Sequence, residues 1–409
     1  ESEAAFAAPI SRFATFPLVT VGAEEFVYRA ISIMAHKKFR HLGVCDTEGR
    51  LVGALSARDL LRQRASHAVL LGHSLEQADS TVELGRIWSD LTKVVRGLVF
   101  EEVDPRAIAA VVSRELRALT RRACELGEAE LERRGEGGPP QPYAMMVLGS
   151  GGRGESMLAM DQDNAIIFDR GEPGGEADRW FEKLGILVAD ALNEAGVIYC
   201  PGGIMASRPE WRLDVAGWRK RIESWISKAR PEDLLNSDIF FDALPVYGQR
   251  GLAESLYADA LAAAQGSRTF LMAMARKASD FQLPLNWLGR PKLENGRIDL
   301  KKSGLMPIFS AARVAALTHA VTARSTPERL EAVQALDAFD AAAIDKLIEP
   351  HRILLGAILG QQLRDIQAGI ALSNRVAPGE MPAHEREQLN WALGRIDSVR
   401  DLLGTPSLG

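Results

Sequence analysis

Hydrophobic and polar positions change period along the chain. In the first seventy residues short apolar runs flank one helical stretch. Residues 17–20 read as extended, and 23–36 have helical spacing through Phe26, Ala30, Ile33 and Met34. The runs 41–45 and 50–55 read as strands joined by the turn Asp46-Thr47-Glu48-Gly49. A helix is then predicted from Ser56, whose hydroxyl caps it, with Asp59 three residues on. From about 75 to 134 the period becomes helical: Val82, Ile87, Leu91, Val94 and Val95, then an Ala-, Leu- and Arg-rich pattern over 103–131. Residues 135–142, rich in Gly and Pro, form a linker. Beyond it, the apolar runs 145–148, 165–168, 197–200 and 239–244 predict strands, with helices over 176–195 and 215–228. After 252 nearly everything is helical by pattern, at 271–275, 305–317, 330–348 and 353–370.

This pattern predicts an α/β multidomain chain. Its parts are an N-terminal α/β unit (1–70), a helical connector and linker (71–141), an α/β domain (142–251) and an all-helical C-terminal domain (252–409). A chain of 409 residues exceeds what one core normally serves. Lys plus Arg number 49 against 54 Asp plus Glu, a formal charge of −5, which argues against non-specific nucleic-acid binding. Cys45, Cys124 and Cys200 are far apart and in no metal-ligand spacing, so they read as reduced thiols of a cytoplasmic protein. No long uncharged apolar run predicts a membrane span. The start at Glu1, without methionine or a signal-peptide pattern, reads as a fragment of a longer protein. Arg114, Arg117 and Arg121 share one helical face and read as a solvated one.

The chemistry concentrates at Gly149-Ser150-Gly151-Gly152-Arg153-Gly154-Glu155, followed by Asp161-Gln162-Asp163-Asn164. Glycines let main-chain N–H groups approach phosphate oxygens, Ser150 donates a hydroxyl, and Arg153 can neutralise a phosphate. Asp161 and Asp163, at i and i+2, project to one side and suit Mg²⁺, which takes hard oxygen ligands. Gln162 and Asn164 then face the other side or support the carboxylates. Either piece alone is usually a plain turn or a solvated strand end. The order strand, Gly-Ser turn, helix, Asp-x-Asp, strand is what carries the reading. Gly149, Gly151 and Gly154 also satisfy G-x-G-x-x-G, with Asp169 near the place of a ribose-binding acid. The gap to the next strand is too short for an ordinary crossover helix, which disfavours a dinucleotide site. No phosphate loop of the type G-x-x-x-x-G-K-[ST] occurs.

Gly149-Ser150 with Asp161-Gln162-Asp163 resembles the signature of the DNA-polymerase-β-like nucleotidyltransferase superfamily. The fuller string over 149–169 resembles its branch related to protein-PII uridylyltransferase. That resemblance implies transfer of a nucleoside monophosphate from a nucleoside triphosphate to a hydroxyl, on a protein tyrosine or a small molecule. It also implies a third carboxylate, best matched by Asp242 with Asp238 as the weaker alternative, which would help hold the metal and accept the hydroxyl's proton. The arginine usual two residues further on is Leu244 here. Residues 201–207 resemble a loop bordering the pocket. The segment 296–305, leading to Arg313, resembles a turn of the accompanying C-terminal domain that faces the cleft. Lys301 would there meet the triphosphate and Arg313 orient it; Arg364 and Asn374 are weaker candidates. The β-α-β-β-α unit with Gly53-Ala54-Leu55-Ser56-Ala57-Arg58-Asp59 resembles a CBS (cystathionine-β-synthase-type) motif, in which Ser56 and Asp59 would contact adenine nucleotide. Such motifs work in pairs, so a partner copy is expected either upstream of Glu1 or from a second chain in a homodimer. No adjacent His-Asp pair marks a reversing phosphohydrolase domain, so a one-way transferase, or removal by another protein, is expected. The second expectation, of a different class, is a nucleotide-sensing signal-transduction protein with little or no turnover.

Overall fold

The short runs of the N-terminal stretch form a three-stranded sheet. Strands β1 (Thr20–Gly22), β2 (His41–Cys45) and β3 (Leu51–Ser56) lie in that order, with β1 parallel and β3 antiparallel to the central β2. Val21, Ala30, Met34 and Leu42 make its small core. This computed structural model describes residues 9, 17–25, 29–30, 33–34, 37, 39–56, 71–286, 290–336 and 341–404. They fall into two compact units, Glu1–Leu70 and Leu71–Gly409. The helix expected after Ser56, Asp59 included, lies outside the described residues.

In the second unit residues 71–77 are helical and are followed by helices α1 (Thr81–Trp88), α2 (Leu91–Phe100) and the long α3 (Pro105–Arg133). Asp104 caps α3 by accepting from Arg106 N at 2.8 Å, and Pro105 starts the first turn where its missing N–H costs nothing. The α/β part follows: β4 (Tyr143–Val147), a single-turn helix α4 (Gly149–Arg153), β5 (Asn164–Phe168), α5 (Glu176–Ala195), β6 (Arg212–Asp214), α6 (Val215–Lys228), α7 (Pro231–Phe240) and β7 (Leu244–Gly248). The sheet order is β6-β5-β4-β7, with β4 antiparallel to both neighbours and β5 parallel to β6.

Every residue of β4 and β5 is buried, which explains why their sequences are continuous apolar runs without alternation. The two faces still separate with a period of two. Tyr143, Met145, Val147, Ile166 and Phe168 join the core made with α3 and α5, whereas Ala144, Met146, Ala165 and Ile167 pack with Trp211, Trp218, Trp225 and Phe240. Trp211 and Trp218 are thus core residues, despite the charged residues beside them in sequence.

Two expected strands differ. Residues 197–200 make only an isolated parallel bridge, Ile198 with Asp161, because residues 161–163 have not yet entered the β5 ladder and Pro201 ends the run. Ile239 and Phe240 close helix α7, and β7 begins only at Leu244. Pro231 in the first turn and the Arg230–Asp233 capping pair start that helix, and a short apolar run cannot by itself tell a helix end from a strand.

Helices α8 (Arg250–Gln265), α9 (Arg268–Ser279), α10 (Met306–Thr318), α11 (Thr326–Ala335), α12 (Ala341–Gln367), α13 (Ala383–Arg395) and α14 (Ser398–Leu403) make up the remainder. It is not wholly helical: β8 (Ile298–Asp299) pairs antiparallel with β9 (Arg375–Val376) before a π-type turn at Lys301–Leu305. This pairing holds the Lys301 segment beside residue 374, with Leu300 N donating to the Asn374 carbonyl at 3.1 Å. Among the described residues no helix is long and apolar enough to cross a membrane.

Candidate functional site

The glycine turn grows out of buried β4 and is tied at once to the acidic segment, because Leu148 N donates to the Asp163 carbonyl at 2.8 Å. Gly149 has φ +51, and a Cβ there would lie 2.5 Å from Asp163 Oδ2. A Cβ on Gly152 would lie 1.9 Å from the Asp242 carbonyl oxygen. These two glycines predict different defects. In Gly152→Ala the overlap is with backbone, so we expect a loss of at least about 2 kcal/mol in urea unfolding. Gly149→Ala strains one residue and displaces a carboxylate, so it should weaken divalent-cation binding in calorimetry more than it lowers stability.

Asp161, Asp163 and Cys200 bring their ligand atoms within 4.8 Å of one another. Among the described residues this is the only such group of three or more His, Cys, Asp or Glu side chains. Burial, then the charge of Asp161, pushes the Asp163 carboxyl up to about 6, against the opposing charges of Lys301 and Arg153. Burial, then the charge of Asp163, pushes the Cys200 thiol up to about 12. Two crowded carboxylates in a half-buried place, with a thiol against them, fit a divalent cation by donor chemistry. Lys301 lines a small cavity here with Ser150, Arg153, Met160, Phe309 and Asn374. The structure therefore brings together Gly149, Ser150, Asp161, Asp163 and Lys301.

Since Asp163 binds its proton more tightly folded than unfolded, its contribution to metal-free stability is present at low pH and lost as pH rises through about 6. Asp163→Asn should accordingly stabilise the chelator-treated protein at neutral pH by on the order of 2 kcal/mol, read by thermal melting. Cation affinity of the wild type should fall as pH drops through the same range.

Of the other residues read from sequence, Arg153 and Asn374 line the Lys301 cavity and the rest lie elsewhere. Asp242, expected on a strand as a third metal ligand, sits in the turn before β7 and is 0% exposed. It accepts from Arg153 Nη1 at 2.5 Å, Arg313 Nη2 at 2.5 Å and Arg329 Nη1 at 2.8 Å. Burial pushes its carboxyl up, but the charges of Arg313, Arg153 and Arg329 outweigh this and hold it below the usual range. A carboxylate so engaged is neither a free base nor a member of the cation group. Arg313 also donates to Asp238 at 2.7 Å. Arg153 also donates to Glu155 at 3.0 Å and lies 4.0 Å from the Phe309 ring centroid. Both arginines, expected on phosphate, are buried in this charge cluster behind the glycine turn. Arg364 bonds Gln361, away from the acids, whereas Asn374 borders the Lys301 cavity. In the N-terminal unit Ser56 ends β3 and is half-buried.

Four residues of consequence were not foreseen. Arg329, Glu155 and His351 complete the buried cluster, with Glu155 accepting from Thr326 N at 2.5 Å and His351 Nε2 3.6 Å from Glu155. Nothing local marks Arg329 or His351; Glu155 stood inside the glycine motif as a visible but unread acid. Cys200 was read as a lone reduced thiol. Arg117 and Arg121, read as solvated, donate to the Gly151 and Val246 carbonyls and pin α3 to the turn and to β7.

Three family models match the chain. Residues 89–232 match putative nucleotidyltransferase DUF294, and residues 268–406 match the putative nucleotidyltransferase substrate binding domain. Residues 10–66 match the CBS domain. No curated protein matches.

Proposed function

We propose that this chain, which belongs to the nucleotidyltransferases that carry a CBS domain, moves a nucleoside monophosphate from a nucleoside triphosphate to a hydroxyl. The observation that carries the reading is the contact of the Gly149-Ser150 turn with the Asp161–Asp163 pair. Main-chain N–H groups of the turn and the Ser150 hydroxyl would grip the triphosphate, with Lys301 adding a charge from the C-terminal part. Asp161 and Asp163 would hold the divalent ion, and two carboxylates by themselves suit Mg²⁺. When bound, that ion neutralises phosphate charge and stabilises the attacking and leaving oxygens. The hydroxyl oxygen bonds the α-phosphorus as the α–β anhydride bond breaks, releasing pyrophosphate and the hydroxyl proton.

Arg153, Arg313 and Asp242 act differently from the expectation: their mutual ion pairs support the turn from behind and leave it one conformation. The acceptor would be a protein tyrosine or a small molecule, and adenine nucleotide at Ser56 would regulate transfer. In the N-terminal unit Leu18, Leu51 and Val52 are exposed, which favours pairing with a second CBS unit in a homodimer. Unpaired cysteines favour a cytoplasmic setting. Two measurements on the full chain test the reading: thermal shift with each nucleoside triphosphate plus divalent cation, and pyrophosphate release with candidate acceptors. Triphosphate-dependent stabilisation without release, with every acceptor tried, would favour the sensor.

A further inference from the structure

We infer that Cys200 is a third protein ligand of the cation held by Asp161 and Asp163, and that its sulfur decides which cation the site takes. This rests on the reading of the two aspartates as cation ligands and adds a donor to it.

The placement of Cys200 is built by the residues on either side of Asp163. Gln162 N donates to the Ile198 carbonyl at 3.0 Å, beside the Asp161–Ile198 bridge. The Gln162 side chain donates to the carbonyls of Val197 and Ala189, both at 2.9 Å. On the other side, Asn164 N donates to the Ile204 carbonyl at 3.1 Å, and Asn164 Oδ1 accepts from Ala206 N at 2.8 Å. Residues 197–206 are thereby fastened before and after Cys200, and Gly203 N closes the turn on the Cys200 carbonyl at 2.9 Å. The polar residues between and beside the two acids thus spend their hydrogen bonds on holding the thiol against them.

A buried cysteine usually behaves as a small apolar residue. Cys200 is 8% exposed and packs in the apolar core beside Ile204, but its sulfur also lies within 4.8 Å of carboxylate oxygens of Asp161 and Asp163. The carboxylate expected as the third donor, Asp242, is taken by three arginines. That leaves sulfur as the third donor, and sulfur ranks ions differently from oxygen. Mg²⁺ is a hard ion that prefers oxygen, whereas Zn²⁺, Co²⁺ and Cd²⁺ accept thiolate, and Mn²⁺ tolerates mixed sets. On coordination the S–H bond breaks, the sulfur–metal bond forms, and the proton passes to solvent.

The test uses the full chain at neutral pH. Cd²⁺ and Co²⁺ are titrated while the thiolate-to-metal charge-transfer absorbance is followed, and Mg²⁺ and Mn²⁺ are titrated by calorimetry. Wild type should develop the charge-transfer band and bind Mn²⁺ more tightly than Mg²⁺. Cys200→Ser should lose the band and bind Cd²⁺ roughly ten- to hundred-fold more weakly, at least the scale on which metal-site partners act. Cys200→Asp, a second variant checked for folding by circular dichroism, should reverse the order of Mn²⁺ and Mg²⁺. If Cd²⁺ binding depends on Asp161 but the band is absent, or persists in Cys200→Ser, Cys200 is not a ligand and the aspartate reading stands. If no cation binds, or Asp161→Asn changes no binding, the aspartate reading fails and Cys200 falls with it.

Discussion

Asp242→Ala is expected to lower the stability of the protein by about 3–5 kcal/mol or to prevent folding of the second unit, because it strips a buried cluster of its central anion. Arg153, Arg313 and Arg329 all converge on this one carboxylate, and each is nearly inaccessible to water. Their other partners do not replace it. Arg153 keeps Glu155, Arg313 keeps Asp238, and Arg329 keeps only the carbonyls of Ala323 and Phe241. Three buried cations would then face two carboxylates. Asp242→Asn keeps the shape and some hydrogen bonds but not the charge, so its loss should be smaller and in the same direction. Urea unfolding of both variants checks this. The pH dependence has a definite sign. Asp242 is held below its unfolded range, so its stabilisation is present above that range and lost only as pH falls beneath it. If Asp242→Ala unfolds like wild type, the cluster does not carry the stability assigned to it.

Asp161→Asn should reduce pyrophosphate release by about a thousandfold or more, equivalent to ~4 kcal/mol of transition-state stabilisation, while triphosphate still stabilises the fold. Asparagine is nearly isosteric but carries no charge, so the cation loses a ligand while the Gly149-Ser150 turn stays intact. The double variant with Asp163→Asn should cost little more than either alone, because the two carboxylates serve one ion and their effects do not add. Release rates and thermal shifts, measured on the same preparations, separate lost chemistry from lost binding. Equal release from Asp161→Asn and wild type would remove the pair from the reaction.

The contrast between these variants follows what could be read in advance. The glycine turn and the two aspartates lie within fifteen residues of each other in sequence, flanked by apolar runs that become β4 and β5. Buried strands, tight turns and short carboxylate spacings are written locally, because backbone sterics and side-chain alternation act over a few residues. Lys301 was legible only through its surrounding motif, and the β8–β9 pairing places it. Asp242 was legible as an acid of interest, but its three arginine partners were not, since they stand 71 to 89 residues away in the chain.

Sequence by itself determined the mixed α/β architecture and the meeting of a glycine turn with an acid pair, through hydrophobic period and backbone permissiveness. Tertiary structure alone decided which carboxylates stand together and which is neutralised by arginine, and it alone set Cys200 against Asp161 and Asp163. The physical reason is that charge compensation and ligand grouping depend on distance in space. Packing brings such groups together from remote segments, and no periodicity along the chain records the meeting.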